Sequence, residues 1–426
     1  MSRLRLAVPI LLLATAPITA VAQTIAITGG KVFPVTGPPL DGGTVLIRDG
    51  RIVAVGADVA IPAGATRIDA TGKWVTPGLV DVNTELGLVE VGYGSGANEA
   101  TAEGQDAIAA SFQAWVALDA SSVLIPPARE GGVTTVAVWP AGGLIAGQGA
   151  LLDLLDGSLD DMLLAAPAAM VGQLSSNQDA GVGARGELFG RLRDLLENAR
   201  DYGRRKADYD RGQMRPVPYR REDLEALLPV VSGKLPLVLA ADRAADIEAA
   251  LELAKVLDIR IVIAGGAEAW QVADKLAAAR VPVLTGAMNN IPQSFNSLGS
   301  RQENAALLRK AGVTVALIGN GGGGEEVFNV RNLRYEAGNA VAYGMSWDEA
   351  LRAVTRAPAE IFGVANRVGA LAPGLEGNVV VWSGDPFEFA TSAEYVLVRG
   401  REYPAASRQD LLIQRYRTLP PRHPAP

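Results

Sequence analysis

The chain has no cysteine and a single histidine, His423, in 426 residues. Without cysteine there are no disulfides, no thiolate metal sites and no thiol nucleophile. The cysteine that would anchor a bacterial lipoprotein is missing for the same reason. His423 lies in the run Leu419-Pro420-Pro421-Arg422-His423-Pro424-Ala425-Pro426, which reads as a solvent-exposed tail. A Ser-His-Asp triad therefore has no imidazole to use. No basic patch of the kind nucleic acid needs is present, and the net charge is −7. A dinucleotide fingerprint is lacking too. Gly92-Tyr93-Gly94-Ser95-Gly96 has the wrong spacing, and Gly142 to Gly149 follows a strand with no acidic residue suitably placed on a second one.

Hydrophobic residues make up 49% of the chain and charged residues 20%, enough for one large core with a small second domain. The first residues read as a signal peptide, residues 1–22. Arg3 and Arg5 supply the positive start, Leu6 to Ala14 a short apolar run, and Ala20-Val21-Ala22 the small residues before a cleavage site. The run is too short, and too broken by Pro9 and Pro17, for a membrane anchor. No other window is apolar enough to span a bilayer. The expectation is a periplasmic or secreted protein with no membrane span after cleavage. Loss of Arg3 and Arg5 makes it two charges more negative, so its partners are expected among small molecules and proteins.

Residues 23–78 read as strands and turns. Thr44-Val45-Leu46-Ile47-Arg48 alternates, Asp49-Gly50 signals a hairpin, and Ile52 to Gly56 returns. The centre then changes rhythm. Val133 to Val138, Leu235 to Ala240, Ile259 to Ala264, Val281 to Thr285 and Val313 to Ile318 are apolar strands. Helical spacing runs from Ala245 to Leu257, Ala267 to Ala279 and Gln302 to Ala311. Such alternation predicts parallel βα units, and the stretch of about 280 residues from Leu79 to Phe362 suits an eight-fold barrel. Residues 185–222, rich in Arg, Asp and Tyr, are expected to be an insertion over one barrel face, with Arg204-Arg205-Lys206 a solvated helix face. Residues 364–404 return to strands and turns, and 405–426 form a tail.

Gly50-Arg51-Ile52-Val53-Ala54-Val55-Gly56 and Asp69-Ala70-Thr71-Gly72-Lys73-Trp74-Val75-Thr76-Pro77-Gly78-Leu79-Val80-Asp81-Val82 resemble the opening hairpin and first barrel strand of the amidohydrolase superfamily. At the other end, Glu336 to Met345, Glu349 to Thr355, Ala357 to Val364 and Val380 to Pro386 resemble its closing helices and final strands. In order and spacing these pieces are similar to the exported, imidazolonepropionase-like branch, over almost the whole chain after residue 22. The resemblance implies an α/β fold: a (β/α)8 TIM-like barrel, residues 79–363, plus a small composite β-sandwich formed by both chain ends, residues 23–78 and 364–404. It also implies hydrolysis of C–N bonds, N-acyl or dipeptide-like, by a metal-bound water whose pKa the metal lowers.

The family carries two histidines, one residue apart, at the end of barrel strand 1, where both face one ion. In Asp81-Val82-Asn83-Thr84-Glu85-Leu86-Gly87 the matching residues are Asn83 and Glu85. The best matches to further strand-end histidines are Ala240 and Ala264, and the aspartate expected after the last strand is replaced by Asn320. No lysine stands at a convincing strand end; Lys234 precedes its strand. Asn is a poor zinc ligand, Ala is none, and an amide does not titrate as a general base. No metal and no other cofactor are expected, and the set reads as a polar cluster filling a degenerate site. The alternative is one hard divalent cation held by Asn83, Glu85 and Asn320. Glu99 and Glu103 read as a solvated face rather than an acid–base pair. Glu325 and Glu326, after Gly321 to Gly324, read as a flexible loop rather than an anion cradle.

Three functional expectations follow. The leading one is a catalytically impaired homologue that binds a small-molecule or peptide-like ligand, or a protein partner, in the periplasm. The second is an active C–N hydrolase with an atypical carboxylate/amide site. The third is the non-catalytic subunit of a hetero-oligomer with an active paralogue; assembly as a homo-oligomer is the other expectation for its quaternary state.

Overall fold

The computed structural model describes residues 23–90, 98–102, 107–174, 184–288, 292, 294–319, 329–404 and 408–417. The expected signal peptide and the candidates Asn320, Glu103, Glu325, Glu326 and His423 lie outside them. No described helix is long and apolar enough to cross a membrane.

The chain opens with strands β1 (Thr24–Val32), β2 (Leu40–Arg48), β3 (Arg51–Gly56), β4 (Thr66–Asp69) and β5 (Trp74–Pro77). The β2–β3 hairpin turns at Asp49 and Gly50, both at positive φ (50° and 77°), the pairing that two-residue hairpins favour. The barrel strands follow: β6 (Leu79–Thr84), β7 (Val133–Val138), β8 (Ile145–Asp153), β9 (Leu163–Gln173), β10 (Leu237–Ala241), β11 (Ile261–Gly265), β12 (Val283–Thr285) and β13 (Val315–Leu317). Last come β14 (Val379–Trp382), β15 (Ala393–Val398) and β16 (Arg401–Tyr403). These three join β1–β5 in one continuous sheet, in which β5 pairs with β1 on one side and β14 on the other. Both chain ends thus build one sheet domain beside the barrel.

The barrel sheet runs β13-β12-β11-β10-β9-β8-β7-β6. Its edges, β13 and β6, nearly meet. A Cβ built on Gly319, just past β13, would lie 3.6 Å from Asp81 Oδ2 of β6, and Val80 N of β6 donates to Val354 O, in the link between the helices Trp347–Ala353 and Arg356–Ile361, at 2.8 Å. In one respect the barrel departs from the expected parallel rhythm: β8 runs antiparallel to both β7 and β9. Only Trp139 to Leu144 connect β7 to β8, too few for a crossover, so the chain must turn straight back. All residues of β8 are buried, which hides any alternation in its sequence.

Helices cover the outside: α1 (Ile125–Glu130), α2 (Leu159–Met162), α3 (Arg185–Arg204), α4 (Lys206–Asp210), α5 (Arg221–Val231), α6 (Ala244–Leu257), α7 (Ala273–Ala279), α8 (Asn304–Lys310), α9 (Leu333–Ala342), α10 (Trp347–Ala353) and α11 (Arg356–Ile361). Leu237, Leu239, Ile261, Ile263, Val315 and Leu317 face this layer, while Val80, Val82, Val238, Val262, Leu284 and Ala316 share the barrel interior with Phe362. The segment 185–222 needs correcting. α3 buries Leu188, Leu192, Leu195, Leu196, Ala199 and Tyr202 along one face and packs on α5 and α6. It is the crossover helix between β9 and β10, part of the outer layer rather than a cover over the barrel. Its Arg and Asp content belongs to the solvent face.

Candidate functional site

The inner strands end in small or polar residues, and this opens the barrel at the C-terminal ends of its parallel strands. A cavity of about 280 Å³ lies there, lined by residues of β6, β9, β10 and β11. Asn83, Glu85, Ala240 and Ala264, read from the sequence as four separate strand-end positions, all line it. Ala240 and Ala264 are paired across β10 and β11. Asn83 and Glu85 are half-buried, so the walls hold them without sealing them from solvent.

The end of β6 is irregular. Its register with β7 shifts between Asp81 and Thr84, and Asn83 N donates to Asp81 Oδ1 at 3.1 Å. Thr84 Oγ1 donates to Ala137 O at 2.8 Å, and Trp139 N to Thr84 O at 2.9 Å. A bulge of this kind re-aims side chains, which explains why Thr84 lines the cavity together with its neighbours Asn83 and Glu85. Trp139 locks the bulge: its Nε1 donates to Val82 O at 2.6 Å, and its ring centroid lies 5.3 Å from that of Phe362.

Two lining residues were not legible in the sequence. Trp139 reads as the end of an apolar strand. Gln173 ends β9, a strand carrying Pro167 and Gly172 that the alternation did not reveal. Beyond the cavity wall, Asp242 follows β10 and accepts from Ala267 N at 3.3 Å. Burial pushes its carboxyl above the usual range against that hydrogen bond, and the nearby carboxylates of Glu268 and Asp246 push the same way. Gly265 has φ +84°, and a Cβ there would meet Asp242 Oδ1 at 2.6 Å, so this turn needs glycine twice over. Glu336, fully buried on α9, accepts from Ala287 N at 2.6 Å and Met288 N at 2.9 Å and so pins the end of β12. No sequence pattern marked either acid.

The remaining candidates lie elsewhere. Glu99 is exposed in extended chain, its N–H donating to Leu88 O. Lys234 sits in the turn before β10. Lys206 pairs with Glu225 at 2.8 Å, and Arg205 with Asp208 at 3.1 Å.

The donor set does not fit the metal that the fold implies. Around the cavity, Asn83 and Gln173 are neutral amides, Glu85 is a carboxylate, and Ala240 and Ala264 offer no donor. Among the described residues, no group of three or more His, Cys, Asp or Glu could hold a metal ion. A borderline ion such as zinc prefers imidazole or thiolate, and neither lines this cavity. What the walls can do is hydrogen-bond a small guest through two amides and one carboxylate while Trp139, Val171 and Val238 cover its apolar side.

The profile of the Amidohydrolase family matches residues 241–403. The imidazolonepropionase of Acidiphilium cryptum is 26% identical over 378 residues, which is 82% of this chain and 89% of that protein. Amidohydrolase tasK of Hapsidospora irregularis is 25% identical over 395 residues, 84% of this chain, which spans only 39% of that protein's length. Among solved structures, an amidohydrolase from Thermotoga maritima superimposes with a TM-score of 0.80 at 27% identity, over 89% of this chain and 99% of that one. With its barrel, its two-ended sheet domain and these relatives, the chain belongs to the amidohydrolase superfamily, in the imidazolonepropionase-like branch.

Proposed function

We propose that this protein is a catalytically impaired amidohydrolase, exported by its N-terminal leader, whose barrel mouth binds a small or peptide-like ligand without hydrolysing it. One observation carries the reading. The strand-end positions that hold metal-binding histidines by family resemblance are Asn83, Glu85, Ala240 and Ala264, and all four converge on one cavity. Family membership brings a scaffold for C–N hydrolysis, but function resides in the site and not in the fold. Hydroxide generation at neutral pH needs a bound ion or a competent general base. Two amides supply neither, and among the described residues lining the cavity one carboxylate is too small a donor set to hold an ion.

The test is metal content by plasma mass spectrometry on protein purified without chelators or a histidine tag, after zinc, manganese and calcium loading, together with assays on N-acyl and dipeptide substrates. The expected result is a metal-to-protein ratio near zero and no turnover. Robust turnover that Glu85→Ala abolishes, or one tightly held ion per chain, would overturn the proposal in favour of an active carboxylate/amide site.

A further inference from the structure

A second cavity, of about 460 Å³, lies where the sheet domain meets the barrel and shares no lining residue with the mouth. Two hairpin turns build it. Asp49-Gly50 closes β2–β3 and Arg399-Gly400 closes β15–β16, all four residues at positive φ. The turns interlock through Gly377, whose N–H donates to Gly50 O at 2.6 Å and whose carbonyl accepts from Gly400 N at 3.0 Å. A Cβ on Gly50 would lie 2.7 Å from Arg399 O, so the close approach depends on glycine. The barrel side is its far end, opposite the mouth: Asp153, the last residue of β8, pairs in register with Thr135 near the start of β7.

The walls carry charge of both signs. Arg51, Arg367, Arg399 and Arg401 line the cavity against Asp49, Asp161 and Glu376, with Asp153 as a fourth carboxylate behind Arg399. The buried acceptors are already engaged. Glu376 Oε1 takes Arg367 Nε at 2.9 Å and Nη2 at 2.8 Å, and its Oε2 faces Arg399 Nε at 3.3 Å. Asp153 Oδ2 accepts from Arg399 Nε at 2.7 Å, while its Oδ1 accepts from Thr135 Oγ1 and Asn378 Nδ2. Arg399 Nη1 donates to Asp161 O at 2.7 Å. Nη2 of the same guanidinium is buried with no partner. Arg401 is exposed and pairs with Val398 through the β15–β16 ladder; its charge, together with that of Arg399, helps hold the Asp161 carboxyl below its usual range, after the hydrogen bonds from Ser158. A buried charged donor left without an acceptor is unfavourable, and groups of this kind are nearly always satisfied by protein, water or ligand.

We propose that this seam is a binding site for a small oxyanion, held by the guanidinium of Arg401 with Arg51 and Arg399 lining the same cavity. Guanidinium forks match carboxylate and phosphate oxygens in geometry and charge. The anion would cross-link the two hairpin turns, since Arg51 follows one and Arg401 follows the other. Its source is either a phosphate or an organic carboxylate, and the cavity has room for more than a bare ion.

Titration calorimetry and thermal melting with phosphate and, separately, succinate test this, with sodium chloride holding the ionic strength constant. The expected result is one saturable site per chain for one of the two anions, with a melting temperature that rises as the site fills. The anion that saturates identifies the source. Arg401→Ala, a change at an exposed position outside the buried network, is expected to weaken binding by about tenfold or more. Its unliganded melting temperature should match that of the native protein, and Arg51→Gln supplies a second variant should it not. Glu85→Ala, at the mouth, should leave anion binding unchanged. If neither anion binds beyond the effect of chloride, or if both arginine variants bind as the native protein does, the site is not there.

Discussion

At the mouth of the barrel, Asn83, Glu85 and Gln173 stand half-buried around a cavity whose other walls are Ala240, Ala264 and Trp139. At the far end, Asp153 and Glu376 are almost wholly buried, at 0% and 5% exposure, and their oxygens are engaged by arginine, threonine and asparagine. The two ends divide the work of a TIM-like barrel, in which the C-terminal face carries chemistry and the N-terminal face carries stability. In this chain the division is sharper. The polar groups at the mouth are few and partly open to solvent, so replacing them costs the fold little. Those at the bottom include the buried carboxylates Asp153 and Glu376, paired across the seam between two sequence-distant regions, so removing one leaves its buried partners unsatisfied.

The largest test of that contrast is Asp153→Ala. It removes one of the two carboxylates that face Arg399 and leaves the buried Thr135 hydroxyl and Asn378 amide without their acceptor, and unfolding in urea should show a loss of about 3–5 kcal/mol. Glu85→Ala at the mouth should stay within about 0.5 kcal/mol of the native protein in the same measurement. Equal losses at the two sites would end the comparison. A smaller loss is expected for Trp139→Phe, which keeps the ring against Phe362 but leaves the buried Val82 carbonyl without the indole N–H, at a cost of about 1–3 kcal/mol. Because that bond fixes the bulge under Asn83 and Glu85, ligand binding at the mouth should fall along with stability.

The smallest effect concerns Asp242, and its sign follows from burial. The folded protein holds this carboxyl above its ordinary value of 3.8. Between that value and the folded one, the native state keeps a proton that the unfolded chain has released. The stability drawn from the protonated form is therefore present at low pH and lost as pH rises. Asp242→Asn stays neutral throughout, and its amide oxygen can still accept from Ala267 N. The variant should be more stable than the native protein at pH 7, with the difference vanishing below about pH 4. An advantage that grows on acidification would show that the neighbouring arginines, not burial, govern this carboxylate.

How far the structure was legible beforehand depended on how local each feature is. The Asp49-Gly50 turn and the helix over Ala244–Leu257 show in a few consecutive residues, because left-handed turn geometry and helical spacing are set within one short segment. The apolar runs Leu237–Ala241 and Ile261–Gly265 announce strands covered on both faces. β8 was missed because a glycine-bearing strand buried along its whole length shows no alternation. α3 reads as an insertion in the sequence because its arginines and aspartates dominate its composition, while its leucine stripe has meaning only against α5 and α6. At the mouth, resemblance to the family located Asn83, Glu85, Ala240 and Ala264. Trp139 and Gln173 join them through the register of β7 and β9, which no window of sequence contains.

The sequence by itself determined the family scaffold and the shortage of metal-binding side chains, since an inventory holding no cysteine and one histidine near residue 423 stands whatever the fold. Only the tertiary structure decided that Asn83, Glu85, Ala240 and Ala264, from three strand ends, share one cavity, that the third strand of the barrel sheet runs backwards, and that arginines from residues 51, 367, 399 and 401 meet at one seam. The reason is physical. Composition and short-range periodicity are properties of neighbours along the chain, whereas cavities and charge networks arise where strand register and hairpin turns bring distant residues within hydrogen-bonding reach.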